Sequence, residues 1–323
     1  MSSIQRTGNN PTVSIVIVCM NNLKNLYPCL NSIKQYTTVS YETLVVAYLF
    51  SKENLEQVKR DFPWATFIES DEIRGFSENN NLALSQAKGK YCFVLNDDTE
   101  MKMPVIDKLI ISFEKTPDCS IISPISYFPD GRLQSCGRPK HTVWTWFLRT
   151  MRIYNEQEVK SPYIHGKGIF QTYNLVGAFF LIPTDLFKEL GWFDERYFFC
   201  PEDIALSTKA NRLGYKLYVD SEVEIIHNEG GTWSRMLTAT QPTSLRGTLI
   251  FYSENKMRKY LILGIWAWII NLIWLIVSSF AFLMRASEKN KIRVLCKYHN
   301  LQSIFTHKST KEIFIRYYAK LKK

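Results

Sequence analysis

Paired cysteines are the first feature that this 323-residue sequence lacks. Its seven cysteines include no CxxC pair, which excludes the common dithiol and zinc-ribbon motifs. Several of them lie in apolar, strand-like segments, where a thiol behaves as a small buried hydrophobe. We therefore expect a reducing compartment, the cytoplasm. The cysteines are residues 19, 29, 92, 119, 136, 200 and 296.

The first twelve residues, MSSIQRTGNNPT, lack an apolar segment, so no secretory signal is evident. Internal repeats and low-complexity segments are also missing, which argues against a repeat array. What the sequence does have is 46% hydrophobic and 14% aromatic residues. A chain of this size and composition can bury an ample core, as one large or two modest globular domains.

The net charge of +10 is concentrated at one end of the chain. Residues 285–323 carry eleven Lys or Arg against two Asp or Glu, whereas residues 1–284 carry 29 against 28. This basic tail directly follows an apolar run over residues 260–284. Because anionic lipid attracts basic residues beside a membrane segment, we expect a membrane surface as its partner and no nucleic acid. The nucleic-acid alternative predicts strongly salt-dependent oligonucleotide binding.

Short apolar strands alternate with helical patterns in the first hundred residues. Residues 13–18 predict a buried strand, and apolar residues at helical spacing follow from Leu23 to Ile33, with Pro28 expected in the first turn. Such alternation predicts an α/β fold with a mostly parallel sheet and helices on both faces. The next predicted elements are strand 43–48, helix 55–62, strand 65–69, helix 77–87 and strand 91–95.

A second α/β portion follows a segment, residues 126–171, for which we predict no element because it is polar, aromatic and irregular. A segment of this length is long enough to be a functional loop. The elements predicted after it are strand 174–182, helices 184–190 and 204–213, and strands 216–219 and 223–226, the last of which ends at His227.

Two acidic pairs and a histidine stand at the ends of these elements: Asp97 with Asp98, Glu202 with Asp203, and His227. Ligands of α/β sheets bind at the carboxyl ends of the strands. Carboxylates suit a hard cation such as Mg²⁺ or Mn²⁺, and Mn²⁺ also accepts imidazole, so one pair can hold a metal while the other serves as a base. Each feature alone also has an ordinary interpretation, as a polar turn, a helix start or a structural histidine.

The joint order of these motifs, over about residues 12–234, resembles the inverting nucleotide-sugar glycosyltransferases of family 2, which have the GT-A fold. The spacing from GWFDE through PED to His227 is similar to that of bacterial rhamnosyl- and galactosyltransferases of surface polysaccharide synthesis. The blocks that carry the resemblance are VSIVIV with Asn21, RGFSENNN, KGKYCFVLNDDTEM, VGAFFLIPTDLFKELGWFDERYFFCPEDIAL and IIHNEGGTWS.

The resemblance implies roles for individual residues. Asp98 would ligate the cation on the donor diphosphate, with His227 near it, and Asp203 would be the catalytic base, with Glu202 as second choice. The residues expected to bind the nucleotide sugar are Asn21, Arg74, Asn81, Asn96, Asp97 and Trp233.

The sequence also departs from the family pattern. Ala47 and Tyr48 stand where an acidic residue commonly contacts the nucleotide base, and Ala205 stands where a second acid often follows the ED pair. Arg74 and Ala83 replace a common Asn and Gly. The departures at Ala47 and Ala205 motivate the alternative of a catalytically silent membrane scaffold or glycan-binding subunit.

We expect residues 1–245 to form the GT-A domain and residues 246–323 a membrane-associated helical region with a basic tail. The implied reaction transfers a sugar from a dTDP- or UDP-sugar to a hydroxyl of a lipid-linked or growing surface glycan, such as O-antigen or capsule. The implied partners are this acceptor and anionic lipid, at the cytoplasmic face of the inner membrane.

The apolar segment 261–284 is long enough to cross a bilayer core, since a helix of this length spans roughly 36 Å at about 1.5 Å per residue. Crossing would carry the basic tail to the far side, against the positive-inside tendency. We therefore expect either a helix that lies in the headgroup region or a hairpin that breaks near Asn271, with the tail remaining cytoplasmic.

Overall fold

The computed structural model describes residues 10–134, 137–156, 166–228 and 236–321. These residues form a ten-stranded mixed sheet in the order β3-β2-β1-β4-β11-β6-β12-β5, with β7 beside β6 and β9 beside β12, and a separate pair of β8 and β10. The strands are β1 Val13–Cys19, β2 Tyr41–Tyr48, β3 Thr66–Ser70, β4 Tyr91–Asn96, β5 Thr99–Met101, β6 Cys119–Tyr127, β7 Leu133–Gln134, β8 Gly137–Arg138, β9 Ile169–Thr172, β10 Asn174–Leu175, β11 Phe179–Pro183 and β12 Lys216–His227.

The first half of the sheet is parallel and the second half is mixed. Strands β3, β2, β1 and β4 run parallel, β11 is antiparallel to β4, and β12 is parallel to β6 but antiparallel to β5. The described helices are α1 Leu23–Tyr36, α2 Lys52–Asp61, α3 Phe76–Leu84, α4 Val105–Lys115, α5 Val143–Thr150, α6 Thr184–Glu189, α7 Glu202–Arg212, α8 Leu237–Ser253, α9 Met257–Met284, α10 Glu288–Ile304 and α11 Thr310–Leu321. The predicted α/β architecture is confirmed.

Burial explains why β1 and β4 are continuous apolar runs in the sequence. Successive residues of β1, such as Val16 and Ile17, point to opposite faces of the sheet and are both fully buried. Phe93 and Val94 of β4 are buried in the same way. A strand covered on both faces loses the alternation of apolar and polar residues. The central strands were therefore the easiest elements to predict.

Three local predictions were wrong. Pro28 lies in the second turn of α1, because the helix already begins at Leu23, and the missing N–H leaves the carbonyl of Lys24 without its helical bond. The predicted strand 174–182 is divided into β10 and β11. The two strands predicted after residue 215 are one strand, β12, whose register against β6 shifts between Asp220 and Glu224.

The C-terminal helices pack onto the sheet domain and onto one another. Trp146 of α5, Leu249 of α8, Ala267 of α9 and Ile304 of α10 share one apolar cluster. Helix α9 is continuous, so a hairpin near Asn271 is excluded; the Asn271 side chain accepts a hydrogen bond of 2.8 Å from Nδ2 of Asn300. By length and composition α9 is able to cross a membrane. The predicted domain division at residue 245 falls inside α8 and stays a prediction.

Candidate active site

The carboxyl ends of β1, β2 and β4 lie at one edge of the sheet, since Val18 pairs with both Val46 and Asn96. A cavity of about 390 Å³ opens there. It is lined by residues from the strand ends, from the start of α7 and from the C-terminal helices: Val18, Met20, Tyr48, Arg74, Gly75, Phe76, Asn79, Asn96, Asp97, Asp98, Arg138, Val176, Gly177, Ala178, Phe198, Phe199, Cys200, Glu202, Asp203, His227, Met236 and Phe314. Both predicted acidic pairs therefore face the same space.

Asp97 and Asp98 follow β4 in a tight turn that enters β5. Burial raises the pKa of Asp97 to about 7, and the neighbouring charge of Asp98 adds to this effect, whereas a hydrogen bond from the Cys19 thiol opposes it. The strand therefore delivers two carboxylates to a site where water screens them poorly. A positive ligand at this site would relieve their repulsion.

His227 is next to Asp98 in the cavity wall, with Nε2 lying 3.3 Å from Oδ1 of the carboxylate. The other side of the ring is held by Gln134, whose Nε2 donates to the backbone carbonyl of His227 at 2.9 Å and whose Oε1 lies 3.1 Å from Nδ1. Because the amide oxygen can only accept, Nδ1 must carry a proton. In the neutral imidazole, Nε2 then presents a lone pair to Asp98.

Two electron-rich atoms thus face each other at Asp98 and His227. Oδ1 of Asp98 is buried and accepts no hydrogen bond from the described residues. A cation between Oδ1 and Nε2 would satisfy both atoms, and a hydrogen bond that fixes the tautomer of a ligating histidine is common at metal sites. Within the described part of the chain no group of three or more His, Cys, Asp or Glu is arranged as a metal site. Two protein ligands suit Mg²⁺ or Mn²⁺, which complete their shells with water and phosphate oxygens.

The second acidic pair begins α7. Oδ2 of Asp203 lies 3.2 Å from a guanidinium nitrogen of Arg138, and the Asp203 side chain is 14% exposed. Glu202 is buried, and its Oε2 has no hydrogen-bond partner among the described residues. Burial, assisted by the charge of Asp203, raises the pKa of Glu202 to about 8. At neutral pH Glu202 is therefore mostly protonated, while Asp203 pairs with Arg138.

Gly177 leaves room beside this pair. A Cβ atom at Gly177 would lie 3.1 Å from Cβ of Asp203 and 3.9 Å from Oε1 of Glu202. The bare backbone between β10 and β11 therefore forms the cavity wall next to Asp203. Any side chain there would narrow the space in which a substrate can approach the carboxylate.

The remaining predicted residues are placed differently. Arg74 and Asn96 line the cavity, and a guanidinium nitrogen of Arg74 also pairs with Glu72 at 3.0 Å. The side chain of Asn21 instead bonds Ser51 and Asn54.

Asn81 is also outside the cavity, because its amide binds the backbone of Phe193 and the carboxylate of Glu195. It lines a separate cavity of about 810 Å³ that contains neither acidic pair. The structure therefore does not bring Asn21 or Asn81 to the acidic pairs. Trp233 lies outside the described residues.

Sequence reasoning missed Gln134, Arg138 and Phe314. The first two belong to the segment 126–171, in which no periodicity marks a strand, because β7 and β8 have two residues each. The only available signal was the basic character of the stretch GRPKH. Phe314 belongs to the basic tail, which we assigned to lipid alone.

The sequence profile of the family described as glycosyl transferase family 2 matches residues 14–189, more than half of the chain. The chain belongs to glycosyl transferase family 2. The matched part of this family 2 protein runs from β1 to the end of α6 and includes Asp98. It ends before Asp203 and His227, so the roles of these two residues stay predictions.

Two curated relatives are similar to this family 2 protein over about half of the chain. It is 24% identical over 160 residues to the O-antigen biosynthesis protein RfbC of Myxococcus xanthus, covering 47% of the chain and 12% of that protein. It is 24% identical over 176 residues to the N-acetylglucosaminyl-diphospho-decaprenol L-rhamnosyltransferase of Mycobacterium tuberculosis, covering 51% of the chain and 55% of the relative. The chain thus spans at most about half the length of these relatives.

Solved structures confirm the GT-A fold. The mannosyltransferase PcManGT of Pyrobaculum calidifontis, in complex with GDP-Man and Mn²⁺, matches with a TM-score of 0.54 and 14% identity over 97% of this chain and 81% of that one. GalNAc-T7 with UDP, GalNAc and Mn²⁺ matches with a TM-score of 0.52 and 18% identity over 68% of this chain and 44% of that one. At these identities the likeness shows the fold alone.

Proposed function

We propose that this family 2 protein transfers a sugar, with inversion at the anomeric carbon, from a nucleoside diphosphate donor to a hydroxyl of a lipid-linked or growing surface glycan. The observation that carries the proposal is that Asp98 with His227, and Asp203 with Arg138, face a single cavity at the carboxyl edge of the sheet. Transfer needs a site for the leaving diphosphate and a base for the acceptor, and the two groups supply one each.

Asp203 is the base in this proposal. As the acceptor oxygen bonds to the anomeric carbon, its hydroxyl proton passes to a carboxylate oxygen of Asp203, and the bond from the anomeric carbon to the diphosphate oxygen breaks on the opposite face. Glu202 is a poor base at neutral pH because it already holds a proton. Arg138 pairs with Asp203 and holds its side chain in a fixed orientation until the acceptor binds.

Asp98 and His227 would hold a divalent cation against the donor diphosphate, and Gln134 keeps the imidazole in the tautomer that can bind it. When bound, Mg²⁺ or Mn²⁺ stabilises the negative charge that develops on the leaving diphosphate. Asn96 and Arg74 line the same cavity and would contact donor oxygens.

The donor and the acceptor are inferred from chemistry and from the relatives. We expect a dTDP- or UDP-sugar as the donor. Tyr48, which stands in place of an acid at the end of β2, gives the cavity an aromatic wall at the end where the nucleobase would bind. The Mycobacterium relative carries a lipid-linked acceptor in its name. Such an acceptor requires the active site to stand beside a membrane.

In this proposal, helix α9 is the part of the protein that binds the membrane. Large apolar residues are exposed along it at intervals of three or four, as one continuous stripe: Ile262, Ile265, Ile269, Ile273, Ile276, Phe280 and Leu283. Cations flank the stripe at both ends, with Arg258 at the start and Arg285 and Lys289 at the end. An apolar stripe between basic residues matches an anionic bilayer surface.

The opposite side of α9 favours a helix that lies in the membrane surface rather than one that crosses it. Nε1 of Trp266 and Nε1 of Trp274 donate to Thr150 of α5 at 3.0 and 3.1 Å. The basic helix α10 packs along α9 as well. A crossing would bury the charges of α10 in the bilayer core, at a cost of about 2.5–3.5 kcal/mol for each Arg or Lys at its centre.

A donor panel tests the proposed activity. The purified chain is mixed with UDP-, dTDP- and GDP-sugars, with and without Mn²⁺, and unfolding temperature and release of the nucleoside diphosphate are measured. We expect one donor to raise the unfolding temperature in the presence of Mn²⁺, because a ligand of the folded state stabilises it by mass action. Donor binding without any transfer or hydrolysis would instead favour the silent scaffold.

A further inference from the structure

The C-terminal helix α11 reaches the donor cavity, although it lies far beyond the residues matched by the family profile. Phe314 of α11 lines the cavity and is 2% exposed. Its ring is stacked on that of Phe198, with centroids 4.4 Å apart, and on that of Tyr318, with centroids 5.2 Å apart. Phe198 and Phe314 both line the cavity, so two stacked aromatic rings form part of its wall.

Polar contacts fix α11 at this position. Nζ of Lys311 lies 2.8 Å from Oε1 of Glu78, whose other oxygen accepts from the backbone N–H of Gly75 at the start of α3. Oγ1 of Thr310 donates to the carbonyl of Arg196 at 2.7 Å. These two contacts join α11 to segments that carry cavity residues. Gly75 lies at the start of α3, near Glu78, and Phe198 follows Arg196 in the chain. The helix is held as a wall of the cavity.

The position of Phe314 along the cavity shows which part of a donor it would meet. The acidic pairs and His227 come from β4, α7 and β12, whereas the apolar cluster that contains Phe314 packs against Met20, which follows β1, and Ile73, which precedes Arg74. Tyr48 at the end of β2 lines the same cavity. With the diphosphate at Asp98, the nucleoside must extend toward this β1–β2 end.

We propose that Phe314 is a donor-binding residue, through which α11 closes the cavity over the nucleoside of the sugar donor. This inference rests on the proposed function, because it takes the cavity to be the donor site. The contact is apolar and aromatic, so it adds affinity for the nucleoside without depending on the metal. Because the ring is already stacked on Phe198 and Tyr318, it would meet the base edge to face, and such a contact is tolerant of base identity because every base has a π face. Residues 310–321 are then a working part of the catalytic unit.

Titration calorimetry of four chains tests the proposal: the wild type, Phe314→Ala, Phe314→Leu and the control Ile315→Ala. Ile315 is on the same helix but is 40% exposed, on the side away from the cluster. The probes are UDP, dTDP and GDP, each with Mn²⁺, and inorganic pyrophosphate with Mn²⁺. Pyrophosphate carries the metal-binding part of a donor and lacks the nucleoside.

We expect Phe314→Ala to weaken the nucleoside diphosphate that the wild type binds by about tenfold, the size typical of losing one base–aromatic contact. Phe314→Leu, which keeps an apolar side chain in the cluster, should weaken it several-fold, and Ile315→Ala should leave it unchanged. Pyrophosphate affinity should be the same in all four chains. In steady-state assays the donor KM should rise while kcat stays near that of the wild type.

Equal losses for pyrophosphate and for the nucleotide would show that the ring only maintains the fold, and would overturn the proposal. Unchanged nucleotide affinity in both Phe314 variants would overturn it as well, while leaving the proposed function intact. Failure of the wild type to bind any of the three nucleotides would overturn the proposed function itself. Phe314→Leu keeps the test valid if Phe314→Ala does not fold.

Discussion

Asp98 and His227 are neighbours in the cavity wall, and Oδ1 of Asp98 lies 3.3 Å from Nε2 of His227. Both atoms are electron-rich in the tautomer of His227 that Gln134 imposes. The arrangement is stable only with a proton or a cation between the two atoms. Residues that would hold a cation and residues that would move a proton should therefore respond differently to substitution.

Replacing Asp98 with Ala should abolish metal-dependent binding of the donor. The diphosphate would lose the cation that joins it to the protein, because His227 alone is a weak site for Mg²⁺ or Mn²⁺. Titration of the nucleoside diphosphate with and without Mn²⁺ measures this, and Glu100→Ala, on the partly buried strand β5 outside the cavity, is a matched control. An Asp98→Ala chain that still binds the donor tightly in a Mn²⁺-dependent way would contradict the metal assignment.

Gln134→Leu should weaken Mn²⁺ binding about tenfold or more while leaving Asp98 in place, because groups that orient a metal ligand typically contribute 10–100-fold to affinity. The substitution removes the acceptor that fixes the proton on Nδ1 of His227 and the donor to its carbonyl. Titration of Mn²⁺ in the presence of the nucleoside diphosphate reports the loss. Full Mn²⁺ affinity in this variant would show that the tautomer of His227 is irrelevant to the site.

Asp203→Asn should keep donor binding and lose transfer, with kcat falling by about 10²–10⁴-fold. The amide has nearly the shape of the carboxylate but cannot accept the proton of the acceptor hydroxyl. Glu202→Gln, which imitates the protonated side chain that the wild type already has at neutral pH, is the control and should retain most of the activity. The opposite result, with Glu202→Gln inactive and Asp203→Asn active, would move the base by one residue.

Stability should depend on pH through Glu202. Its pKa is raised from 4.5 to about 8 in the folded protein, so the folded state binds a proton more tightly than the unfolded chain does. The free energy of unfolding should therefore fall as the pH rises from about 4.5 to about 8, by an amount on the order of a few kcal/mol. Glu202→Gln has no proton to lose.

Chemical denaturation at a series of pH values, on the wild type and on Glu202→Gln, measures this dependence. The difference in the free energy of unfolding between the two chains should grow in favour of the variant across this window and level off above it. Parallel curves for the two chains would show that Glu202 is not the group that titrates.

The sequence predicted the centre of this molecule well and its borders poorly, for a physical reason. Strands β1 and β4 are buried on both faces, so composition alone marks them, and Asp97 and Asp98 stand out because they end such a strand. Gln134 and Arg138 lie on two-residue strands that exist only because β6 and β10 pair with them. No local pattern encodes such a pairing.

The C-terminal region shows the same limit. The apolar character of α9 was evident, but whether Asn271 breaks the helix depended on a partner, Asn300, that lies 29 residues away. Likewise Phe314 is one of several aromatic residues in a basic tail until the fold brings it to Phe198. Tertiary contacts decide what these residues do, and a single sequence does not contain them in readable form.

The last prediction concerns the side of the membrane on which the tail lies. If α9 lies in the membrane surface, as its contacts with α5 and α10 favour, residues 285–321 remain on the cytoplasmic side, where α11 can also reach the donor cavity. A cysteine placed at Ser309, which precedes α11, should then be protected from a membrane-impermeant maleimide in intact cells and react after lysis.

Cys296 is first removed so that the new thiol is the one probed in the tail. A second cysteine at Lys102, an exposed residue just after β5 in the sheet domain, is the control for the cytoplasmic side. Labelling at residue 309 but not at residue 102 in intact cells would show that α9 crosses the membrane. The placement of Phe314 in the donor cavity would then be wrong too, because one helix cannot lie on both sides of a bilayer.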